Sequence, residues 1–214
     1  MKLIISLKSF LDSSFGFILS ILRIIVFTRV SAIYSPSKNK REKSILILGN
    51  GPSLVSDLNN KVSDFNKFDF LAVNHFAESD LYEKIKPSIY CIGAPELFED
   101  KAVEELKTKS DNLFKAINHK TSWPITLYLN TRALKSKRWR LFINDNPHIS
   151  IKFFNRTPIG GFFKYIFWRY NVGMVRPHNV LIPSIMIAIN ENYKTLYLFG
   201  ADHSWLKELS IFKS

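Results

Sequence analysis

Six short apolar runs recur along the chain, separated by longer stretches of mixed character. The first, Ser44–Leu48, is almost continuously apolar, which is typical of a strand buried on both faces of a sheet. The other runs cover residues 69–73, 88–92, 125–129, 149–154 and 195–199. Helix-like stretches between them cover residues 54–62, 96–107 and 180–190. Because strands that alternate with helices need crossover connections, residues 44–214 are predicted to form a Rossmann-like α/β domain. Its sheet is expected to be open and mostly parallel, with flanking helices.

The composition excludes several other classes of protein. With 46% hydrophobic and 14% aromatic residues, the chain is too apolar for a disordered protein. Every stretch long enough to cross a bilayer is interrupted by charge, so a bundle of transmembrane helices is excluded. Cys91 is the only cysteine, which excludes a disulfide framework and favours a reducing compartment.

Residues 1–34 combine long apolar runs with scattered charges. On a helical wheel, Lys8, Asp12 and Arg23 fall on one side, and Leu, Ile and Phe residues occupy the other. This pattern predicts an amphipathic helix that associates with a membrane surface through residues 1–30, with its cations beside anionic headgroups. We therefore expect a cytoplasmic protein, peripheral on the inner face of the cell membrane. A spanning or signal-like helix and a helix packed on the protein's own core are the alternatives.

The positive charge is concentrated in two places. Residues 1–43 hold eight Lys and Arg residues against two acidic residues, so half of the formal charge of +12 lies in the first fifth of the chain. Residues 35–43 are polar, basic and interrupted by Pro36, and are predicted to be a linker. No DNA- or RNA-binding motif is present, so no nucleic-acid partner is expected. A second basic run is expected to form an exposed helix face that contacts an acidic acceptor or lipid headgroups. Its members are Arg132, Lys135, Lys137, Arg138 and Arg140.

A glycine-containing turn follows the first predicted strand. Gly49 and Gly51 let the backbone approach a ligand closely, and Pro52 suits the first turn of a helix. The free N–H groups of such a turn form an anion site, to which Ser53 adds a hydroxyl and Asn50 an amide. The turn matches neither the dinucleotide-binding nor the Walker A pattern. A tight β–α turn without a ligand is the alternative.

Polar residues also follow other predicted strands. Asn74 is expected at the same sheet edge as Asn50, either as a ligand contact or as a helix N-cap. Gly200 allows close approach, and Asp202 and His203 place a carboxylate and an imidazole on one turn, for acid–base chemistry or for capping that turn. Asn179, at the start of the last predicted helix, is expected to face the same cleft. No group of residues has a convincing metal-site spacing.

Three motifs in order resemble known enzymes. ILILGNGPSL (45–54), DFLAVNHF (69–76) and AINENYKTLYLFGAD (188–202) resemble the bacterial CMP-sialic-acid-dependent sialyltransferases and related surface-polysaccharide transferases. They are equally similar to the group that includes the 6-hydroxymethylpterin diphosphokinase (MptE-like) proteins. The resemblance covers about residues 44–100 and 172–206.

The sialyltransferase resemblance implies a membrane-associated enzyme that transfers a sugar from a CMP-sugar donor to a surface-glycan acceptor. Residues 49–53 would bind the phosphate and ribose, and Asn50 and Asn74 would contact the nucleotide and donor sugar. The reaction would be a single inverting displacement without a metal. The family's catalytic histidine lies beyond the last strand and maps onto no residue of this sequence, so the chain is expected to be C-terminally short and the catalytic base is left unassigned. His203 and Asp202, next to the last strand, are the candidates for it.

The second resemblance implies a diphosphokinase that uses ATP and Mg²⁺, with Asp202 helping to hold the metal. A third hypothesis is a truncated, non-catalytic nucleotide-binding fold.

Overall fold

The structure is a computed structural model that describes residues 2–143 and 145–202, with side chains from residue 12 onward. Six strands form a single parallel sheet in the order β5-β4-β3-β2-β1-β6. In register, Ile45 of β1 lies opposite Asp69 of β2 and Leu196 of β6. The strands are β1 (Ser44–Leu48), β2 (Phe68–Val73), β3 (Ile89–Ile92), β4 (Ile125–Asn130), β5 (Ile149–Phe154) and β6 (Leu196–Phe199). The prediction of a parallel α/β domain is confirmed.

Helices precede the sheet and connect its strands. They are α1 (Lys2–Phe27), α2 (Leu54–Lys61), α3 (Leu81–Ile85), α4 (Glu104–Lys120), α5 (Lys164–Arg169) and α6 (Leu181–Asn190). The expected helix over residues 96–107 is wrong, because the chain makes a 3₁₀ turn at Pro95–Phe98 and α4 begins only at Glu104. Phe98 packs against Phe114 with 5.9 Å between the ring centroids. In one straight helix, residues 98 and 114 would be about 24 Å apart along the helix axis. Their contact therefore requires the chain to fold back between them.

The sheet is covered on both faces. Alternate side chains of a strand point to opposite faces, so Leu46 and Leu48 of β1 face one helical layer and Ile45 and Ile47 face the other. The first layer contains α2, α3 and α4, and the second contains α6. The strands are therefore nearly continuous apolar runs, as expected for a parallel sheet.

Helix α1 packs on the domain through small and polar residues. The hydroxyl of the buried Ser20 accepts the Gly160 N–H at 2.9 Å, and Thr28 donates to the carbonyl of Val172 at 2.8 Å. Gly161 has φ +81°, and a Cβ there would lie 2.5 Å from the backbone nitrogen of Phe17. A different face of α1 is exposed and carries large apolar side chains. These are Phe15, Ile18, Leu22, Ile25, Val26 and Phe27.

None of the described helices is both long enough and apolar enough to cross a membrane. The predicted linker, residues 35–43, is irregular and lies against the end of α6. There the Ser37 N–H donates to the carbonyl of Asn190 at 2.8 Å, and Arg41 pairs with Glu191 at 3.0 Å.

Candidate functional site

The loops after β1 and β6 touch at the carboxyl edge of the sheet. The Gly51 N–H donates to the carbonyl of Gly200 at 2.9 Å. A Cβ on Gly49 would overlap the carbonyl oxygen of Gly200, and Gly200 itself has φ +60°, so both positions require glycine. From β1 the chain proceeds through β2 to β5 on one side, whereas β6 lies on the other. The strand order therefore reverses between β1 and β6. This position is the topological switch point, at which open parallel sheets bind ligands.

A pocket of about 270 Å³ opens at this point. Of the nine binding positions predicted from the sequence, eight line it, and Ser53 is the exception. His203 lies outside the described residues. The lining residues are Gly49, Asn50, Gly51, Pro52, Val73, Asn74, Asn179, Val180, Leu181, Gly200 and Asp202. We call this the strand-end pocket. That a ligand binds here stays a prediction.

The carboxylate of Asp202 accepts hydrogen bonds from groups at the start of α2. Its carboxylate accepts the Ser53 N–H at 3.2 Å and the Ser53 hydroxyl at 2.5 Å. The same hydroxyl lies 3.2 Å from Asp57 Oδ2. The hydrogen bond from Ser53 holds the pKa of Asp202 below its usual range. The donors that the sequence assigned to a phosphate are thus already in contact with a carboxylate of the protein.

Asn74 joins the ends of β2 and β3. It adopts φ +44°, a left-handed conformation that asparagine tolerates better than most residues. Its Oδ1 accepts the Gly93 N–H at 3.1 Å, and its carbonyl accepts the Tyr90 hydroxyl at 2.5 Å. Asn74 therefore bridges two strand ends rather than capping the turn that follows it. Its Nδ2 group has no acceptor among the described residues, and Asn74 is one of the residues that line the pocket.

Two further asparagines line the strand-end pocket. Asn179 Oδ1 accepts the N–H groups of Leu181 at 3.0 Å and Ile182 at 3.4 Å, so it caps α6. Asn50 is exposed, and among the described residues its side chain makes only a long contact, 3.5 Å from its Nδ2 to the carbonyl of Val73. The side-chain amide of Asn50 is the one least committed to the fold.

A second, larger pocket of about 840 Å³ lies over β4 and β5 at the same sheet edge. Five cations line it, together with apolar residues that include Val26 and Phe27 from the end of α1. The cations are Arg29, Arg132, Lys135, Arg156 and Arg176. We call this the basic pocket.

The sequence interpretation did not locate the basic pocket. Arg132 and Lys135 come from the basic run, but the expected helix face is wrong, because the run forms two 3₁₀ turns, Thr131–Leu134 and Trp139–Leu141. Arg138 does not line the pocket. It forms a bidentate ion pair with Asp111, with 2.7 Å from Nε to Oδ1 and 2.8 Å from Nη2 to Oδ2. The sequence signal that could have located it was Arg156, which lies two residues after the end of β5 and follows the same strand-end rule as Asn74.

Within residues 2–143 and 145–202, no group of three or more His, Cys, Asp or Glu side chains could hold a metal ion.

Comparison with known proteins identifies a solved structure with a similar α/β fold. No protein-family model matches the sequence, and no curated protein matches it. The MAf glycosyltransferase from Magnetospirillum magneticum AMB-1 is similar in structure, with a TM-score of 0.52 and 16% sequence identity. The match covers 84% of this chain and 26% of that protein, so the chain spans about a quarter of its length. At this identity the likeness shows a shared α/β fold.

Proposed function

We propose that the protein is a glycosyltransferase that binds a CMP-activated sugar in the strand-end pocket and transfers it to a surface glycan. The observation that carries this proposal is the convergence of three separate motifs on one pocket. The motifs contribute Asn50, Asn74 and Asp202 to the pocket, which lies at the topological switch point of the sheet. A fold similar to that of a glycosyltransferase supports it.

The pocket suits a nucleotide better than a larger ligand. Its volume of about 270 Å³ is near the lower end of small-molecule sites, so it would hold the nucleotide with the sugar extending outward. The exposed amide of Asn50 and the Nδ2 group of Asn74 offer hydrogen bonds to the base, ribose or donor sugar. Gly49 and Gly51 allow the ligand to approach the backbone.

The proposed reaction is a single inverting displacement. The acceptor hydroxyl gives its proton to a base, and its oxygen forms a bond to the anomeric carbon of the donor. The bond from that carbon to the phosphate oxygen breaks, and CMP leaves. Asp202 and His203 are the candidates for the base. Asp202 lines the pocket, and its carboxylate accepts hydrogen bonds from the N–H and hydroxyl of Ser53. The proposed scheme uses no metal, as the resemblance to the sialyltransferases implies.

We further propose that α1 lies on the inner surface of the cell membrane. Its exposed apolar face includes Ile18, Leu22 and Ile25, and the nearby helix α5 adds Tyr165 and Ile166. The formal charge of +12 complements an anionic lipid surface. An interfacial position would bury these apolar groups and leave the strand-end pocket open to donor from the cytoplasm.

Calorimetric titration of the folded protein tests the nucleotide assignment. We expect CMP to bind without Mg²⁺, and Asn50→Ala to weaken binding about fivefold through loss of one hydrogen bond. Asn112→Ala, on an exposed position of α4, is the matched control and should leave binding unchanged. Failure of CMP to bind would overturn the proposal, and binding of ATP that requires Mg²⁺ would replace it with a diphosphokinase.

A further inference from the structure

The basic pocket lies beside the strand-end pocket. The carbonyl of Gly93 accepts Arg156 Nη1 at 3.1 Å and Asn130 Nδ2 at 3.4 Å, on the side of the basic pocket. The N–H of the same glycine donates to Asn74 in the strand-end pocket at 3.1 Å. Pro177 lines the basic pocket and Asn179 lines the strand-end pocket, two residues along the chain. The two pockets are therefore neighbours at the same edge of the sheet.

The basic pocket has an excess of positive charge. No acidic residue is among those that line it. At its rim, Arg132 makes an exposed ion pair with Glu99 at 3.4 Å. Within the described part of the chain, Lys135, Arg156 and Arg176 have no carboxylate within ion-pair distance. Such a concentration of cations suits a ligand that carries more than one negative charge.

Arg156 is the cation most deeply placed in this pocket. It is half-buried, and its guanidinium donates to the carbonyls of Gly93 at 3.1 Å and Pro177 at 3.3 Å, which fix its orientation. Burial, followed by the like charge of Arg132, holds its pKa below the ordinary value for arginine. The two carbonyls thus hold the guanidinium of Arg156 in place near Arg132, where a bound anion would offset the like charges, and a guanidinium matches the geometry of phosphate oxygens.

The pocket also has an apolar side next to α1. Val26 and Phe27 line it, and they belong to the exposed face of the helix that we place at the membrane. A ligand that joins a phosphate to an apolar chain would find both partners here. With its phosphate held at Arg156, a sugar attached to that phosphate would lie toward the strand-end pocket.

We infer that the basic pocket binds the phosphate or diphosphate group of the glycan acceptor. The inference rests on the proposed function only in calling this ligand the acceptor. The anion is recognised by Lys135, Arg156 and Arg176, and its position over β4 and β5 orients the acceptor hydroxyl toward the donor sugar. The acceptor is thus a phosphorylated or diphosphorylated glycan, carried on a lipid or free in solution.

Inorganic pyrophosphate is the probe for this site. We expect it to bind the folded protein, to keep binding when CMP is present in excess, and to bind more weakly as salt is raised. Arg176→Gln should weaken pyrophosphate about tenfold, the effect of removing one hydrogen bond between charged groups. Displacement of pyrophosphate by CMP would place it in the strand-end pocket and would overturn the inference.

The basic run supplies a matched pair of variants. Lys135→Gln removes a charge that lines the basic pocket, and Lys137→Gln removes the same charge at an exposed position outside it. Only the first should weaken pyrophosphate, and neither should change CMP binding. Equal weakening of pyrophosphate binding by both variants would indicate a general charge effect and would contradict the inference. Pyrophosphate binding without CMP binding would retain this pocket and remove the proposed donor, so the two failures are distinguishable.

Vesicles separate the two sources of the phosphate. Phosphatidic acid exposes a phosphate monoester, whereas phosphatidylglycerol of matched total charge exposes only a diester. A preference for phosphatidic acid that is lost in Lys135→Gln and competed by pyrophosphate supports a lipid-borne acceptor. Pyrophosphate binding without that preference supports a phosphorylated acceptor in solution.

Discussion

Asp202 accepts two hydrogen bonds from Ser53, one from the backbone N–H at 3.2 Å and one from the hydroxyl at 2.5 Å. The carboxylate that follows β6 therefore sits at the first turn of α2, at the position where the sequence pattern favours a ligand phosphate. The two assignments share the same donors. A bound nucleotide phosphate must either displace Asp202 or bind beside it.

Replacing Asp202 with Asn should separate binding from catalysis. Asp202→Asn removes a negative charge next to the proposed phosphate, so CMP should bind about fivefold more tightly at low salt. The gain should shrink at high salt, because the group is exposed and its charge is screened. If Asp202 is the base, sugar transfer should fall by about 100-fold or more. Calorimetry at two salt concentrations and a transfer assay measure both effects.

Asp80→Asn, an exposed residue just before α3, makes the same charge change away from the pocket and serves as the control. Weaker CMP binding by Asp202→Asn would mean that the carboxylate contacts the ligand as an acceptor. That result would contradict a phosphate at the start of α2.

The contact between the loops of β1 and β6 predicts a sharp difference between glycines. Gly49→Ala forces a Cβ into the backbone of Gly200, and backbone atoms cannot move aside as a side chain would. We expect a loss of about 1–3 kcal/mol in the free energy of unfolding, together with weaker CMP binding. Urea denaturation measures the first effect.

Gly160→Ala provides the control for this substitution. A Cβ at Gly160 meets nothing within 4 Å. Its free energy of unfolding should therefore stay within about 0.5 kcal/mol of the wild type. A similar loss in both variants would show that the approach of Gly49 to Gly200 is not what makes glycine necessary.

The sequence predicted the sheet well because its strands are buried on both faces. Runs such as Ser44–Leu48 contain almost no polar residue, so their ends are easy to place in the sequence. All six strands lie close to the positions expected from the sequence. The strand-end rule then brought most of the predicted binding residues to one pocket, since parallel strands end at the same edge. Local pattern and fold agree for this part of the molecule.

What the sequence missed depends on contacts between distant residues. The hydrogen bonds between Ser53 and Asp202 join positions 149 apart in the chain, and no local pattern encodes them. The basic pocket likewise gathers Arg29, Arg132, Arg156 and Arg176 from four separate segments. Their convergence follows from the crossover connections, which the periodicity of apolar residues does not reveal.

Glu191 should make the stability of the protein depend on pH. Its carboxylate accepts Lys152 at 2.8 Å, Tyr128 at 2.5 Å and Arg41 at 3.0 Å. Burial raises the pKa of Glu191, but these hydrogen bonds and the charge of Lys152 outweigh it, so the pKa lies below its usual value. A carboxyl whose pKa is lower in the folded protein stabilises the fold above its unfolded pKa. That contribution is lost as the pH falls through the folded value.

Glu191→Gln tests this pH dependence. At pH 7 the variant should lose about 2 kcal/mol in the free energy of unfolding, because the half-exposed Lys152 and Arg41 lose hydrogen bonds to a charged partner. The difference from wild type should narrow as the pH falls below about 4.3, the ordinary glutamate pKa. Glu42→Gln, at an exposed position one residue from Arg41, is the control. A difference that stays constant down to pH 2 would contradict a lowered pKa.

The exposed face of α1 should determine binding to lipid vesicles. Ile25 is 74% exposed, so Ile25→Glu should leave the fold intact while placing a charge where the helix meets the bilayer. Losing the burial of one large apolar side chain costs about 1.5–3 kcal/mol, so binding to vesicles rich in phosphatidylglycerol should fall at least about tenfold. Val103→Glu, at a position that is 67% exposed just before α4, adds the same charge elsewhere and should bind as the wild type. Sedimentation with vesicles and thermal unfolding of both variants separate lost binding from lost structure. Equal binding by wild type and Ile25→Glu would show that α1 does not contact the membrane through this face.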